Sequence, residues 1–161
     1  MVLCSLFASL TAVCAWISLP LPPISFTMQT FAVLLSLGIL GGKWGSVSIL
    51  LYLLLGLVGL PVFSGFRGGI HALLGPTGGF LWGFLLSAAV YWALERLGKL
   101  PAMIGALAMC YLCGSWWFSV YAGAGMGLSV MTCVVPYLIP DAVKLALAYT
   151  MAKRISRTIQ I

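Results

Sequence analysis

Asp141 and Lys144 stand three residues apart in Pro140-Asp141-Ala142-Val143-Lys144, a spacing that puts both on one face of a helix. The chain holds only two acidic and eight basic residues, and the surroundings of this pair are apolar. A charge placed in hydrocarbon costs about 2.5–3.5 kcal/mol or more, so such charges are rare, partnered and usually functional. Here each is the other's obvious partner. Pro136 and Pro140 remove backbone donors just ahead of the pair and favour a helix start near Asp141. Two readings follow: Asp141 caps the helix and Lys144 neutralises it, or the two form a polar clamp for a small ligand.

Other polar groups sit in equally apolar surroundings. Thr27, Gln29 and Thr30 follow a proline-rich stretch, Leu19 to Pro23, that excludes a regular helix. Gln29 then falls near the top of an apolar run, where a buried amide needs partners. Those are either backbone groups freed by the prolines or a ligand. A long glycine-rich connection from Pro61 to Gly79 carries Phe66, Arg67, Gly68 and Gly69. It is not a P-loop, because no Lys-Ser/Thr pair follows its glycines. Its length and apolar content predict a folded lid or binding loop rather than disorder. Phe63, Phe66 and Tyr137 lie beside these polar groups and suit either an apolar ligand body or the membrane interface. Trp44, Trp82, Trp92, Trp116 and Trp117 read as interfacial anchors.

Little else is available for chemistry. The five cysteines lie in apolar stretches, and Cys110-Tyr111-Leu112-Cys113 has CxxC form. With His71 as the one histidine and no second CxxC, free buried thiols are expected rather than a metal or redox site. His71 reads as a loop residue. Neither a Ser-His-Asp set nor a metal cluster can be assembled, so an enzyme is disfavoured.

The elements that must position these groups are membrane helices. Of 161 residues, 63% are hydrophobic and 6% charged, against about 25% charged in a typical soluble domain. This composition predicts an all-α integral membrane protein in one domain, residues 1–161, with six transmembrane helices and the long Gly-rich loop between helices 3 and 4. The first span runs from about Val2 to Ile17 and reads as a retained helix, not a signal peptide. The second ends at Gly41-Gly42-Lys43-Trp44-Gly45, and the third runs from about Val47 to Leu60. The fourth covers about Phe80 to Leu94, and the fifth about Ala102 to Tyr121. Leu128 to Ile139 is too short to span and is expected to re-enter or lie at the interface. The sixth begins near Asp141 and ends at Lys153-Arg154.

Six spans put both termini on one side. Lys43, Arg96, Lys99, Lys153, Arg154 and Arg157 fall there, six of the eight basic residues. The positive-inside rule then makes both termini cytoplasmic in a cell-membrane protein, and the net charge of +6 needs no nucleic acid to account for it. Gln29, the Gly-rich loop and the Asp141/Lys144 pair converge at the outer face. Within the first span, Ala8-Ser9-Leu10-Thr11-Ala12 is a small-xxx-small pattern, which serves packing inside the chain or docking to a partner subunit.

Four blocks together resemble the BioY family: Leu19-Pro20 with Thr27-Met28-Gln29-Thr30-Phe31, Leu53 to Phe63, Gly75-Pro76-Thr77-Gly78-Gly79-Phe80, and Pro140 to Lys144. They occur in order along nearly the whole chain. Members of that family are biotin-specific S components of energy-coupling-factor transporters. The resemblance implies a six-helix bundle that captures biotin on the outer side. It also implies work with a transmembrane coupling subunit and two ATPases within the membrane lipid, with no cofactor of its own. It places biotin contacts at Asp141 and Lys144, with help from the loop between helices 3 and 4, here including Phe66, Arg67, Gly68, Gly69 and Thr77. Gln29 and Tyr137 complete the expected site. The Ala8/Ala12 motif resembles the surface that meets the coupling subunit. Arg67 stands where small residues are common in the family, and is either an extra ligand contact or a solvated charge. An S component for another small vitamin and a purely structural membrane subunit are the alternatives.

Overall fold

The computed structural model describes residues 1–20 and 24–158, with side chains described up to Ser156. Of the expected features, Pro22, Pro23 and the Arg157 side chain lie outside the described part. Helix α1 spans Val2–Trp16. Two short strands, β1 (Ser18–Leu19) and β2 (Phe26–Thr27), pair antiparallel with Ser18 opposite Thr27. The expectation of a purely helical chain is corrected to that extent. The pairing returns the chain after the prolines and delivers it to α2, Gln29–Leu57. Then follow α3 (Ile70–Leu74), α4 (Gly78–Leu94), α5 (Lys99–Ala122), α6 (Met126–Cys133) and α7 (Leu138–Thr158).

Helix α2 is not straight. Gly41 lies inside it at φ 76° and ψ 175°, a conformation open in practice only to glycine. There the chain doubles back. Gln29 and Tyr52 hydrogen-bond at 2.5 Å, although a straight helix would hold them about 34 Å apart. The reversal needs only Gly41, whereas the sequence suggested a break across Gly41 to Gly45. Gly42 is again helical, and a side chain there would collide with the Trp92 backbone of α4. Small residues at the turn thus let the hairpin seat closely on its neighbour. The Gly42 amide is capped from outside by the Glu95 carboxylate at 2.7 Å.

The hairpin of α2 is the centre of the bundle: α1, α4, α5 and α7 all pack against it, and α4 and α5 pack against each other. The core joins Phe7 of α1, Leu34, Leu37 and Tyr52 of α2, Phe84 of α4 and Met103 of α5. Among the described residues, four helical segments are long and apolar enough to cross a membrane: Gln29–Leu57, Gly78–Leu97, Lys99–Ala122 and Met126–Ser156. Helix α1 is apolar but shorter. Apolar side chains such as Leu6, Trp82, Ile104 and Val143 face outward, as lipid-facing positions require. The chain is a multi-pass membrane protein.

Helix α7 starts at Leu138, one turn earlier than Pro140-Asp141 suggested. Pro140 is accommodated because the first amides of a helix have no intrahelical partner to lose. The stretch Leu128 to Ile139 divides between α6, a 3-10 turn at Val135–Tyr137 and the first turn of α7.

Candidate functional site

A cavity of about 470 Å³ opens where β2, the start of α2, the 58–77 connection, α5 and the start of α7 meet. Asp141 and Lys144 line it, each 4% exposed. Lys144 Nζ pairs with Asp141 Oδ1 at 2.6 Å. The same ammonium donates to the Thr27 carbonyl at 2.6 Å and sits 3.9 Å from the centre of the Phe26 ring. Tyr111 of α5 donates its hydroxyl to Asp141 Oδ2 at 2.6 Å. The buried pair is therefore netted from three elements, which a charged pair in low dielectric needs to be tolerable. A helix cap alone would not engage Thr27, Phe26 and Tyr111.

A second buried network lies beside the first. Gln29 is 5% exposed; its amide donates to Tyr52 Oη at 2.5 Å and its carbonyl accepts from Thr27 Oγ1 at 3.1 Å. Tyr52 passes the chain on to the Val62 carbonyl at 3.1 Å and meets Phe63 edge-on. Gln29 thus uses its polar atoms to tie the α2 hairpin to the following connection, while still lining the cavity. Tyr137 stacks parallel on Phe26 at 6.2 Å and donates its hydroxyl to the Ile24 carbonyl, forming part of the wall.

The 58–77 connection is folded, as expected. The Phe63 amide donates to the Arg67 carbonyl at 2.9 Å, closing a tight turn. This turn points Phe63 and Arg67 into the cavity and Phe66 away from it. Phe66, at φ 57° and 65% exposed, stacks on Trp16 of α1 at 5.2 Å. Trp16 also donates to the Pro61 carbonyl at 2.8 Å, and Trp117 of α5 holds the far end through Gly75 O at 2.9 Å.

Of the expected ligand residues, Asp141, Lys144, Gln29, Arg67, Gly68, Thr77 and Tyr137 line this one cavity. Two expectations are corrected. Phe66 faces outward for the reason just given, and Gly69 does not line the cavity, its amide being bound to Gly56 O at 2.7 Å. Ala8 and Ala12 carry two readings, packing inside the chain or docking to a partner, and their burial favours the first. They are 2% and 7% exposed, in a helix that packs almost wholly on α2. The small residues bring α1 close to α2 of the same chain; the outward face of α1 is instead Leu6, Ser9 and Val13. His71, read as a loop residue, lies inside the short helix α3 and lines the cavity.

Tyr111, Phe26 and Tyr52 were not singled out from the sequence. The available signal was a tyrosine inside an apolar helix, since a buried phenol must find a partner. Which partner it finds depends on helices brought together only by the fold.

The family profile for BioY matches residues 1–161. The biotin transporter BioY of Thermotoga maritima is 38% identical, over 94% of this chain and 92% of its own. The probable biotin transporter BioY of Pyrococcus horikoshii is 40% identical, over 95% and 93%. A solved structure of the S component for biotin from an ECF-type ABC transporter superposes with a TM-score of 0.88, covering 96% of this chain and 88% of that one at 23% identity. With the helical hairpin, the roofed cavity and the profile over its full length in agreement, this chain belongs to the BioY family.

Proposed function

We infer that this protein is the membrane-embedded S component that captures biotin for an ECF-type transporter. It is a transport component and not an enzyme. The observation that carries the reading is the buried Asp141–Lys144 pair lining an apolar-walled cavity of about 470 Å³. Biotin's ureido ring offers two N–H donors to the Asp141 carboxylate and its neighbours. Its fused ring suits the walls formed by Phe26, Phe84 and Tyr137. Its carboxylate suits Arg67, the one arginine among the described residues that line the cavity. Gln29, Gly68 and Thr77 supply further polar lining.

The same reading takes the bundle as one domain with six crossings: α1, the two arms of α2, α4, α5 and α7. The arms 29–40 and 42–57 fall short of the roughly 20 residues of a full straight crossing. The basic residues Lys43, Arg96, Lys99, Lys153, Arg154 and Arg157 all belong to the end opposite the cavity, so both termini are cytoplasmic and the cavity opens outward. No nucleotide-binding motif is present, so energy comes from partners: a transmembrane coupling subunit and two ATPases.

The test is equilibrium binding of biotin to the purified protein in detergent, with Asp141→Asn alongside. A charge-assisted hydrogen bond contributes about 1.5–3 kcal/mol, so the variant is expected to weaken binding by tenfold or more. Absence of biotin binding together with saturable binding of another vitamin would reassign the ligand. Unchanged affinity in the variant would remove Asp141 from the site.

A further inference from the structure

A second cavity, of about 300 Å³, lies at the opposite end of the bundle. Ser156, on its wall, follows Lys144 by twelve residues of α7, about 18 Å along the helix axis. One side of this cavity accepts hydrogen bonds. Glu95 gives one carboxylate oxygen to the Gly42 amide, and its carboxylate makes no other hydrogen bond to a described residue. Tyr91, one turn earlier on α4, is 1% exposed and lines the cavity, yet its hydroxyl has no hydrogen-bond partner among the described residues. The first arm of α2 ends here at Gly41, so its last carbonyls present the negative end of a helix. The other side donates: Lys99 Nζ reaches Ser156 Oγ at 2.7 Å. Among the described residues Glu95 and Lys99 form no ion pair, the one such pair being Asp141–Lys144.

A carboxylate and an ammonium that share a cavity without pairing are complementary to a guest carrying both charges. We propose that this cavity binds the zwitterionic headgroup of an aminophospholipid, its ammonium toward Glu95 and Tyr91 and its phosphate toward Lys99 and Ser156. A primary ammonium has three N–H donors for the carboxylate, the phenol oxygen and the helix-end carbonyls. A phosphate takes charge-assisted bonds from lysine and hydroxyl. A guest with a cation alone would face Lys99, and one with an anion alone would face Glu95. The cavity lies at helix ends, the level at which headgroups sit, and exposed Arg96 and Lys153, close in the chain to Glu95 and Ser156, add attraction for phosphate.

The test is native mass spectrometry of the detergent-purified chain with equal amounts of phosphatidylethanolamine, phosphatidylcholine and phosphatidylglycerol. Phosphatidylethanolamine is expected to be retained about tenfold over phosphatidylcholine, whose methylated nitrogen has no N–H to give. Glu95→Gln keeps an acceptor for the Gly42 amide while removing the charge, and Tyr91→Phe removes only the hydroxyl. Both are expected to lower retention of phosphatidylethanolamine to the phosphatidylcholine level with thermal unfolding unchanged. Equal retention of the three lipids, a preference for phosphatidylglycerol, or full retention in both variants would overturn the proposal. None of these readouts depends on biotin, so the ligand reading above stands or falls separately.

Discussion

Lys144 makes three contacts with the protein itself: Asp141 Oδ1, Thr27 O and the Phe26 ring. An ammonium has three donors, so its contacts hold the site as much as they await a guest. Asp141 in turn divides its two oxygens between Lys144 and Tyr111. Removing one partner from a buried ion pair leaves an uncompensated charge, at a cost of about 3–5 kcal/mol. Lys144→Ala is therefore expected to lower the melting temperature in detergent as well as biotin affinity. Tyr111→Phe is the gentler probe, because it keeps the ring and loses one hydrogen bond to a carboxylate. Its loss, about 1.5–3 kcal/mol of protein stability, is expected as a lower melting temperature and, because Asp141 loses a group that orients it, as a raised Kd by isothermal titration. An unchanged Kd would make Tyr111 a bystander. The Asp141/Lys144 pair was legible in the sequence because two charges in hydrocarbon demand each other at helical spacing. Tyr111 was not, because its partner lies 30 residues away on another helix.

At the scale of elements, the α2 hairpin and the 58–77 connection set the site. Gly41 allows the reversal that puts Gln29 beside Tyr52. A side chain forced into such a backbone conformation costs on the order of 1–3 kcal/mol. Gly41→Ala is expected to lower thermal stability, read by unfolding in detergent, and an unchanged melting temperature would show that the turn tolerates another geometry. The connection is fastened from outside the cavity, by Trp16 on Pro61 and Phe66 and by Trp117 on Gly75. Trp16→Ala removes a hydrogen bond and a stacked pair, together about 1–3 kcal/mol. Biotin dissociation is expected to quicken severalfold, measured by chase with unlabelled biotin, while a rate equal to wild type would show that the clasp does not restrain the ligand. The sequence marked this stretch as folded because it is too apolar for a solvated loop. It could not say which aromatic faced inward, since that is settled by the 63–67 turn.

For the whole molecule, charge divides between the two ends. The larger cavity lies at the end with Arg67, and the larger basic set at the end with Glu95. Ala8 and Ala12 belong to the packing of α1 on α2 rather than to an open face. Enlarging them overpacks that contact, at about 1–3 kcal/mol. Ala8→Leu with Ala12→Leu is thus expected to reduce thermal stability of the isolated chain, measured in detergent without any partner. Normal stability would return these positions to the role of a docking surface.

Composition alone determined that the chain lives in a membrane, because so apolar a sequence has no other solvent. Spacing determined the Asp141–Lys144 pair, and the distribution of lysine and arginine separated the two ends. The tertiary structure decided what those residues touch. It closed α2 on itself at one glycine, turned Phe66 outward, set Tyr111 on Asp141 and buried Ala8 and Ala12 against a neighbouring helix. Helical periodicity is written locally, residue by residue, and can be read from the chain. Contacts between elements depend on which faces meet after folding, and a pattern that says only apolar or small does not name the face it will meet.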